Sequence, residues 1–260
     1  MTAAIASPDL GRDSEGRIIR LDVQHVYKTF RRGPRRSLKE TVVDFAMRRH
    51  HETAADTLVA LKDISFEVSE GESVALLGFN GSGKSTLLKL VSGVMLPDQG
   101  DVRVLGRVAG LIDVGAGFHP DLTGRENIYL NGAILGMTKE QIEQRFDTIV
   151  GFSEIPEFID TPVKFYSSGM FLRLAFSVAV NTDCDVFLID EILAVGDEPF
   201  QHKCINKIRQ LKDQGRPLVI VSHDLGLVAD LCDRGIVLED GRLVEDGPVD
   251  ACVGYLRSKE

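Results

Sequence analysis

Eight residues constrain this chain more than any others: Gly78-Phe-Asn-Gly-Ser-Gly-Lys84-Ser85. Their spacing is GxxxxGK[ST], in which glycines remove Cβ atoms so that backbone N–H groups can curl round a phosphate. At average composition the pattern arises by chance in about one chain of this length in a hundred, so its setting has to decide. A short apolar run, Ser73–Leu77, stops at the first glycine, and a helix-forming stretch, Thr86-Leu-Leu-Lys-Leu-Val, follows the serine. Strand, glycine turn and helix start would aim the positive end of a helix dipole at a bound anion. Lys84 can reach terminal phosphates, and Ser85 offers an oxygen to Mg²⁺. The candidate nucleotide contacts are Gly78, Phe79, Asn80, Gly81, Ser82, Gly83, Lys84, Ser85 and Thr86.

The rest of the chain suits such a unit. Ile18–Val26 and Leu61–Val68 alternate apolar and polar positions, as half-buried strands do. Asp185–Ile189 and Leu218–Ser222 are apolar runs of the kind buried on both faces of a sheet. Thr123-Gly-Arg-Glu126 and Thr138-Lys-Glu-Gln141 match the capping box that starts a helix. Strands alternating with helices predict a mainly parallel α/β sheet, interrupted from about 115 to 183 by an inserted helical subdomain. Residues 1–17 read as a flexible tail and 18–260 as a single domain. At 43% hydrophobic content the core is ample, yet no stretch approaches 18 uninterrupted apolar residues and the N-terminus lacks the design of a secretory signal. If the chain serves a membrane process, another chain must supply the membrane part. A net charge of −9 argues against a general nucleic-acid binder. The four cysteines are scattered without a CxxC pair and suit thiols in a reducing compartment.

Three further features add chemistry. Val186-Phe-Leu-Ile-Asp190-Glu191 is a buried-strand pattern ending in two acids. Asp190 can hold Mg²⁺, and Glu191 can orient or deprotonate an attacking water. His223 ends another apolar run, where it can hydrogen-bond a γ-phosphate and sense its loss. Tyr166-Ser-Ser-Gly-Met170 precedes a strongly helical stretch, so Ser167, Ser168 and Gly169 would form a second anion site at a helix start. A single nucleotide needs one such glycine loop. Two in one chain point to a head-to-tail pair of chains, each facing the other's nucleotide.

The order of the glycine loop, Ser167–Met170, Asp190–Glu191, Ala194-Val-Gly-Asp197 and His223 resembles the ABC ATPases over about residues 18–250. The resemblance implies the P-loop NTPase form of the α/β fold: a mainly parallel sheet core, an antiparallel β portion and the helical subdomain. It implies ATP with Mg²⁺, Glu191 and His223 as catalytic groups, and Ser167, Ser168, Gly169 and Met170 at the position of the LSGGQ signature. Asp197 falls in the D-loop, and Phe30 stacks on adenine, with Tyr27 its competitor. The stretches Gly115–Asn127, Tyr166–Ala175, Asp190–Asp197 and Phe200-Gln201 are similar to the polysaccharide exporters of that family, which move O-antigen, teichoic acid, capsule or galactan chains on lipid carriers. This implies a homodimer of ATPase subunits, peripheral on the cytoplasmic face of the plasma membrane. It would work with two polysaccharide-permease transmembrane subunits on a lipid-linked glycan, without nucleic acid.

Two departures stand out. Leu111-Ile-Asp-Val-Gly-Ala-Gly117 lacks the glutamine most members place there; Asp113 is the nearest polar candidate for the metal shell and Val114 the formal equivalent. The chain closes soon after Asp246-Gly247, so no carbohydrate-binding tail is expected and glycan recognition should lie elsewhere. A basic insert, about residues 31–57, carries Arg31, Arg32, Arg35, Arg36, Lys39, Arg48 and Arg49, with Leu38, Val42 and Phe45 at helical spacing. It is expected to dock on the membrane partner or on anionic headgroups; unchanged membrane association after deletion of residues 33–52 would exclude this. Among rival classes, an importer ATPase is the nearest. A DNA-repair or translation protein would need a coiled-coil insertion or a second cassette, and a purely regulatory module would readily lose Glu191 or His223.

Overall fold

The strands of this chain sort their side chains by parity. In β3 (Ser73–Leu77), Ala75 and Leu77 enter one hydrophobic cluster while Val74 and Leu76 enter another. β6 (Val186–Asp190) and β7 (Leu218–Val221) do the same, with Phe187, Ile189, Leu218 and Ile220 on one side and Val186, Leu188, Val219 and Val221 on the other. Successive Cβ atoms point to opposite faces of a strand, so a continuous apolar run requires cover on both faces. This is a computed structural model, in which residues 10–31, 57–111, 115–190 and 196–259 are described.

The central sheet has the order β5-β6-β7-β3-β8-β9, with β5 (Val108–Leu111) and β9 (Arg242–Pro248) at its edges and β8 (Arg234–Glu239) beside β3. Its first five strands run parallel, and β9 is antiparallel to β8. One face is covered by α1 (Lys84–Val91) and a second, antiparallel sheet of order β2-β1-β4, made of β1 (Ile19–Arg31), β2 (Thr57–Ser69) and β4 (Gln99–Val104). The other face is covered by the end of α4 (Ser168–Val180), by α5 (Glu198–Asp213), α6 (Leu225–Leu231) and α7 (Val249–Arg257). The expected mainly parallel core with an antiparallel portion is therefore present.

Between β5 and β6 the chain builds α2 (Gly124–Ile134), α3 (Lys139–Ser153) and α4. These pack round their own core of Ile128, Ile142, Ile149, Leu174 and Val178. Thr123 and Thr138 close full capping boxes with Glu126 and Gln141, so the donors at these helix starts are satisfied locally.

Residues 10–17 differ from the tail expected of them. Asp13 Oδ1 accepts from the Glu15 and Arg17 N–H groups at 3.0 and 2.8 Å, and Arg12 bridges to Ile18. A local aspartate turn, invisible to composition, folds this segment back on β1. Arg31 and Thr57, assigned above to the basic insert, form the last pair of the β1–β2 ladder; residues 32–56, with the helical spacing of Leu38, Val42 and Phe45, lie outside the described residues.

Candidate nucleotide-binding site

The glycine loop leaves β3 at Leu77 and enters α1 at Lys84. Its glycines serve two different purposes. A methyl on Gly78 would sit 2.2 Å from the Leu238 carbonyl oxygen of β8, so the chain fits there only without one. At Gly81, where φ is +84°, a methyl would meet nothing within 4 Å, so the crown of the loop faces open space. The N-cap of α1 is Gly83, which supplies no side-chain cap, and its first turn holds no acidic residue. The N-terminal amides of α1 are thus left without the self-capping seen in α2 and α3. Lys84 is buried, and its Nζ donates to the Gly78 and Phe79 carbonyls at 2.7 and 3.1 Å. Ser82 Oγ is buried and has no hydrogen-bond partner among the described residues. Uncapped amides, an ammonium, an unused hydroxyl and a first helical turn without an acidic residue together fit a phosphate chain. Ser85 is exposed and Thr86 half-buried on the first turn of α1.

The sheet order brings the other candidates to this loop. β7 lies between β6 and β3, and Asp190 pairs with Val221 at the C-terminal end of both strands. His223 stands two residues further on, exposed at a corner that is fixed on its far side. There Asp224 caps α6, its Oδ1 accepting from the Gly226 and Leu227 N–H groups at 3.0 Å. A hollow of about 150 Å³ is lined by Gly78, Phe79 and Asn80 of the loop together with Ser222 and His223. Leu225 and Leu256 complete it; neither was singled out in the sequence, because a leucine on a helix reads as core. Among the described residues, no three His, Cys, Asp or Glu side chains gather to hold a metal ion.

The serine-glycine turn stands apart. Ser167 is the N-cap of α4, its Oγ accepting from the Met170 N–H at 3.2 Å, and Ser167 and Ser168 are exposed. A hollow of about 430 Å³ is lined by Ser167, Ser168, Gly169 and Met170 with Ile155, Leu172, Arg173, Gly196 and Asp197. It shares no residue with the first hollow. Asp197 joins the turn through Arg173, whose Nη2 donates to Asp197 Oδ1 and whose Nη1 donates to Glu154 Oε2 at 2.9 Å. The sequence reading missed Arg173 and Glu154: an arginine inside Phe171-Leu-Arg-Leu-Ala looks like the polar stripe of any helix.

Phe30 is half-buried at the end of β1, opposite Leu58, with Lys28 Nζ 5.9 Å from its ring centroid. Gly83 abuts Ala60 and Leu61 of β2, two and three residues beyond Leu58, the partner of Phe30, whereas Tyr27 pairs with Gln99 of β4. Glu191 and Asp113 lie outside the described residues.

Comparison with known proteins agrees with this architecture. The ABC transporter family profile matches residues 61–194. The chain is 52% identical over 194 residues to the ABC transporter protein AbcA of Aeromonas salmonicida, covering 75% of this chain but 63% of the relative. It is 50% identical over 195 residues to the O-antigen export system ATP-binding protein RfbB of Klebsiella pneumoniae, covering 75% of this chain and 79% of that one. It also shares its fold with a dimeric ATP-binding cassette solved with ADP and Pi, at a TM-score of 0.68 and 21% identity, covering 88% of this chain and 98% of that one.

Proposed function

The chain belongs to the ABC transporter family, and from that premise we propose that it is the ATP-hydrolysing subunit of an exporter of lipid-linked polysaccharide. The observation that carries the reading is the separation of two anion-binding turns in one chain. The start of the loop, Gly78–Asn80, and the turn at 167–170 line hollows with no residue in common. One copy therefore grips a nucleotide on one side and offers a second grip to another. Two copies related by a twofold axis satisfy both, closing a sandwich around two nucleotides.

In each site Gly78–Thr86 would hold the phosphates of ATP, with Lys84 turning from the loop carbonyls to the terminal phosphates. Phe30 would cover the adenine. Ser85 and Asp190 would hold Mg²⁺, with Asp113 a further candidate; the ion, when bound, neutralises charge on the β- and γ-phosphates. Glu191 would orient and deprotonate the water, and His223 would contact the γ-phosphate. The partner copy would add Ser167, Ser168, Gly169, Met170 and Asp197. Closure would depend on γ-phosphate contacts and end with hydrolysis.

Among the described residues no helix is long and apolar enough to cross a membrane, so the transport step would belong to two separate permease subunits. The ATPase dimer would sit on the cytoplasmic face of the membrane beneath them. Likeness to an O-antigen export protein over 79% of its length supports a polysaccharide as the cargo of the complex. The test is Glu191→Gln. Loss of a general base costs on the order of 10²–10⁴-fold in turnover, while nucleotide binding should persist and ATP should drive a stable dimer. Wild-type turnover in this variant would remove Glu191 from its role.

A further inference from the structure

Asp197 occupies the N-cap of α5, where an aspartate ordinarily accepts from the amides of the first turn and stabilises the helix. Here its side chain makes no cap bond. Its carboxylate instead takes a charge-assisted bond from Arg173 Nη2. The guanidinium is held on every side: Nη1 donates to Glu154 Oε2 at 2.9 Å, and Cζ lies 4.7 Å above the ring of Phe200, which is fully buried. Glu154 is itself fixed by Lys203, which donates to Glu154 Oε1 at 2.8 Å and to the Phe152 carbonyl at 2.9 Å. The side chain of Arg173 is only 17% exposed, while that of Asp197 is 59% exposed. A half-exposed carboxylate has thus given up its helix cap for a half-buried, pre-oriented arginine on the neighbouring helix.

From this network we infer that Arg173 is a positioning residue that sets the spacing between the serine-glycine turn and Asp197, so that the two meet the partner copy's nucleotide as one surface. The inference rests on the sandwich reading above. Arg173 sits on the second turn of α4, above Ser167–Met170, and reaches the loop at 196–197 from there. Glu154, at the C-terminus of α3, and Phe200, on α5, fix where the guanidinium points, so the spacing is set by three elements at once. A planar guanidinium fixes the directions of its two donors, which a freely rotating ammonium does not.

The experiment compares wild type with Arg173→Ala, Arg173→Lys and Asp197→Asn. Three quantities are read: the unfolding midpoint, the Kd for a fluorescent ATP analogue at protein concentrations below dimerisation, and kcat. A misplaced catalytic surface can cost on the order of 10²-fold. Arg173→Ala should therefore lose kcat on that scale while its Kd stays within about twofold, because the glycine loop of the same chain is untouched. Arg173→Lys should fall between, and Asp197→Asn, which loses the charged acceptor of Arg173 Nη2, should lose kcat with its Kd likewise unchanged. Wild-type kcat in Arg173→Ala overturns the inference. So does a Kd that rises with the loss of kcat, or an Arg173→Lys variant whose loss of kcat goes with a collapsed unfolding midpoint. A wild-type chain that turns over ATP without ATP-dependent pairing sinks the sandwich reading and this inference with it.

Discussion

Gly78 and Gly81 are three residues apart in one loop, and the structure gives them opposite constraints. Behind Gly78 is a backbone carbonyl, Leu238 O, that cannot step aside without moving β8; before Gly81 there is nothing. Gly78→Ala should therefore destabilise the fold by at least about 3 kcal/mol, combining overpacking with a left-handed φ. Gly81→Ala should lose only about 1 kcal/mol, from its φ alone, yet should lose nucleotide binding, because its methyl would enter the space the phosphates need. Denaturant unfolding beside nucleotide titration separates the two; equal losses of stability would contradict the geometry. At this scale the sequence was informative where chemistry demands a rare residue at a fixed spacing, as at Lys84, Asp190 and His223. It was silent on Arg173, because what distinguishes that arginine is what lies around it. Glu154, 19 positions earlier, carries no local sign of its role.

Elements follow from local rules more readily than their neighbours do. The apolar runs and capping boxes marked β3, β6, β7 and the starts of α2 and α3, because periodicity and cap chemistry are local. That β7 lies between β6 and β3, bringing Asp190 and His223 to the glycine loop, is a pairing between distant segments. Only the rule that ligands gather at the C-terminal ends of parallel strands pointed to it. The end of β1 shows a device that no local rule reveals. Asp98 accepts from Lys28 Nζ at 2.7 Å and from both the N–H and the hydroxyl of Thr29 at 2.7 Å, pinning the strand just before Phe30. The Lys28 ammonium, then the Thr29 donors, push the Asp98 carboxyl down from 3.8 to about 2. A carboxyl lowered in the folded state is protonated first in the unfolded one. Its contribution is therefore present above about pH 4 and is lost as pH falls toward 2. The difference in unfolding free energy between wild type and Asp98→Asn should shrink over that window. A difference that stays constant from pH 5 to pH 2 would mean that the pin contributes nothing through its charge.

On the scale of the whole molecule, the parallel core and the helical subdomain each carry one of the two glycine-bearing turns and each have their own apolar core. The alternation of strands and helices announced the first, and the break in that alternation announced the second. The tail and the hairpin ends were placed less well, since both depend on which side chains reach back onto β1. What the separation of the two turns demands is a second copy, and a mixing experiment tests this most directly. Lys84→Ala removes the grip of the glycine loop but leaves the serine-glycine turn intact. Gly169→Glu blocks that turn, where the nearest atom to an added Cβ, Ser167 Oγ, is 3.9 Å away and the fold has room for it. Each variant alone should be inactive. Mixed in equal amounts, half the dimers should carry one complete site, and turnover should return to as much as about a quarter of wild type. No recovery at any ratio, or full activity of Gly169→Glu by itself, would contradict a site shared between two chains.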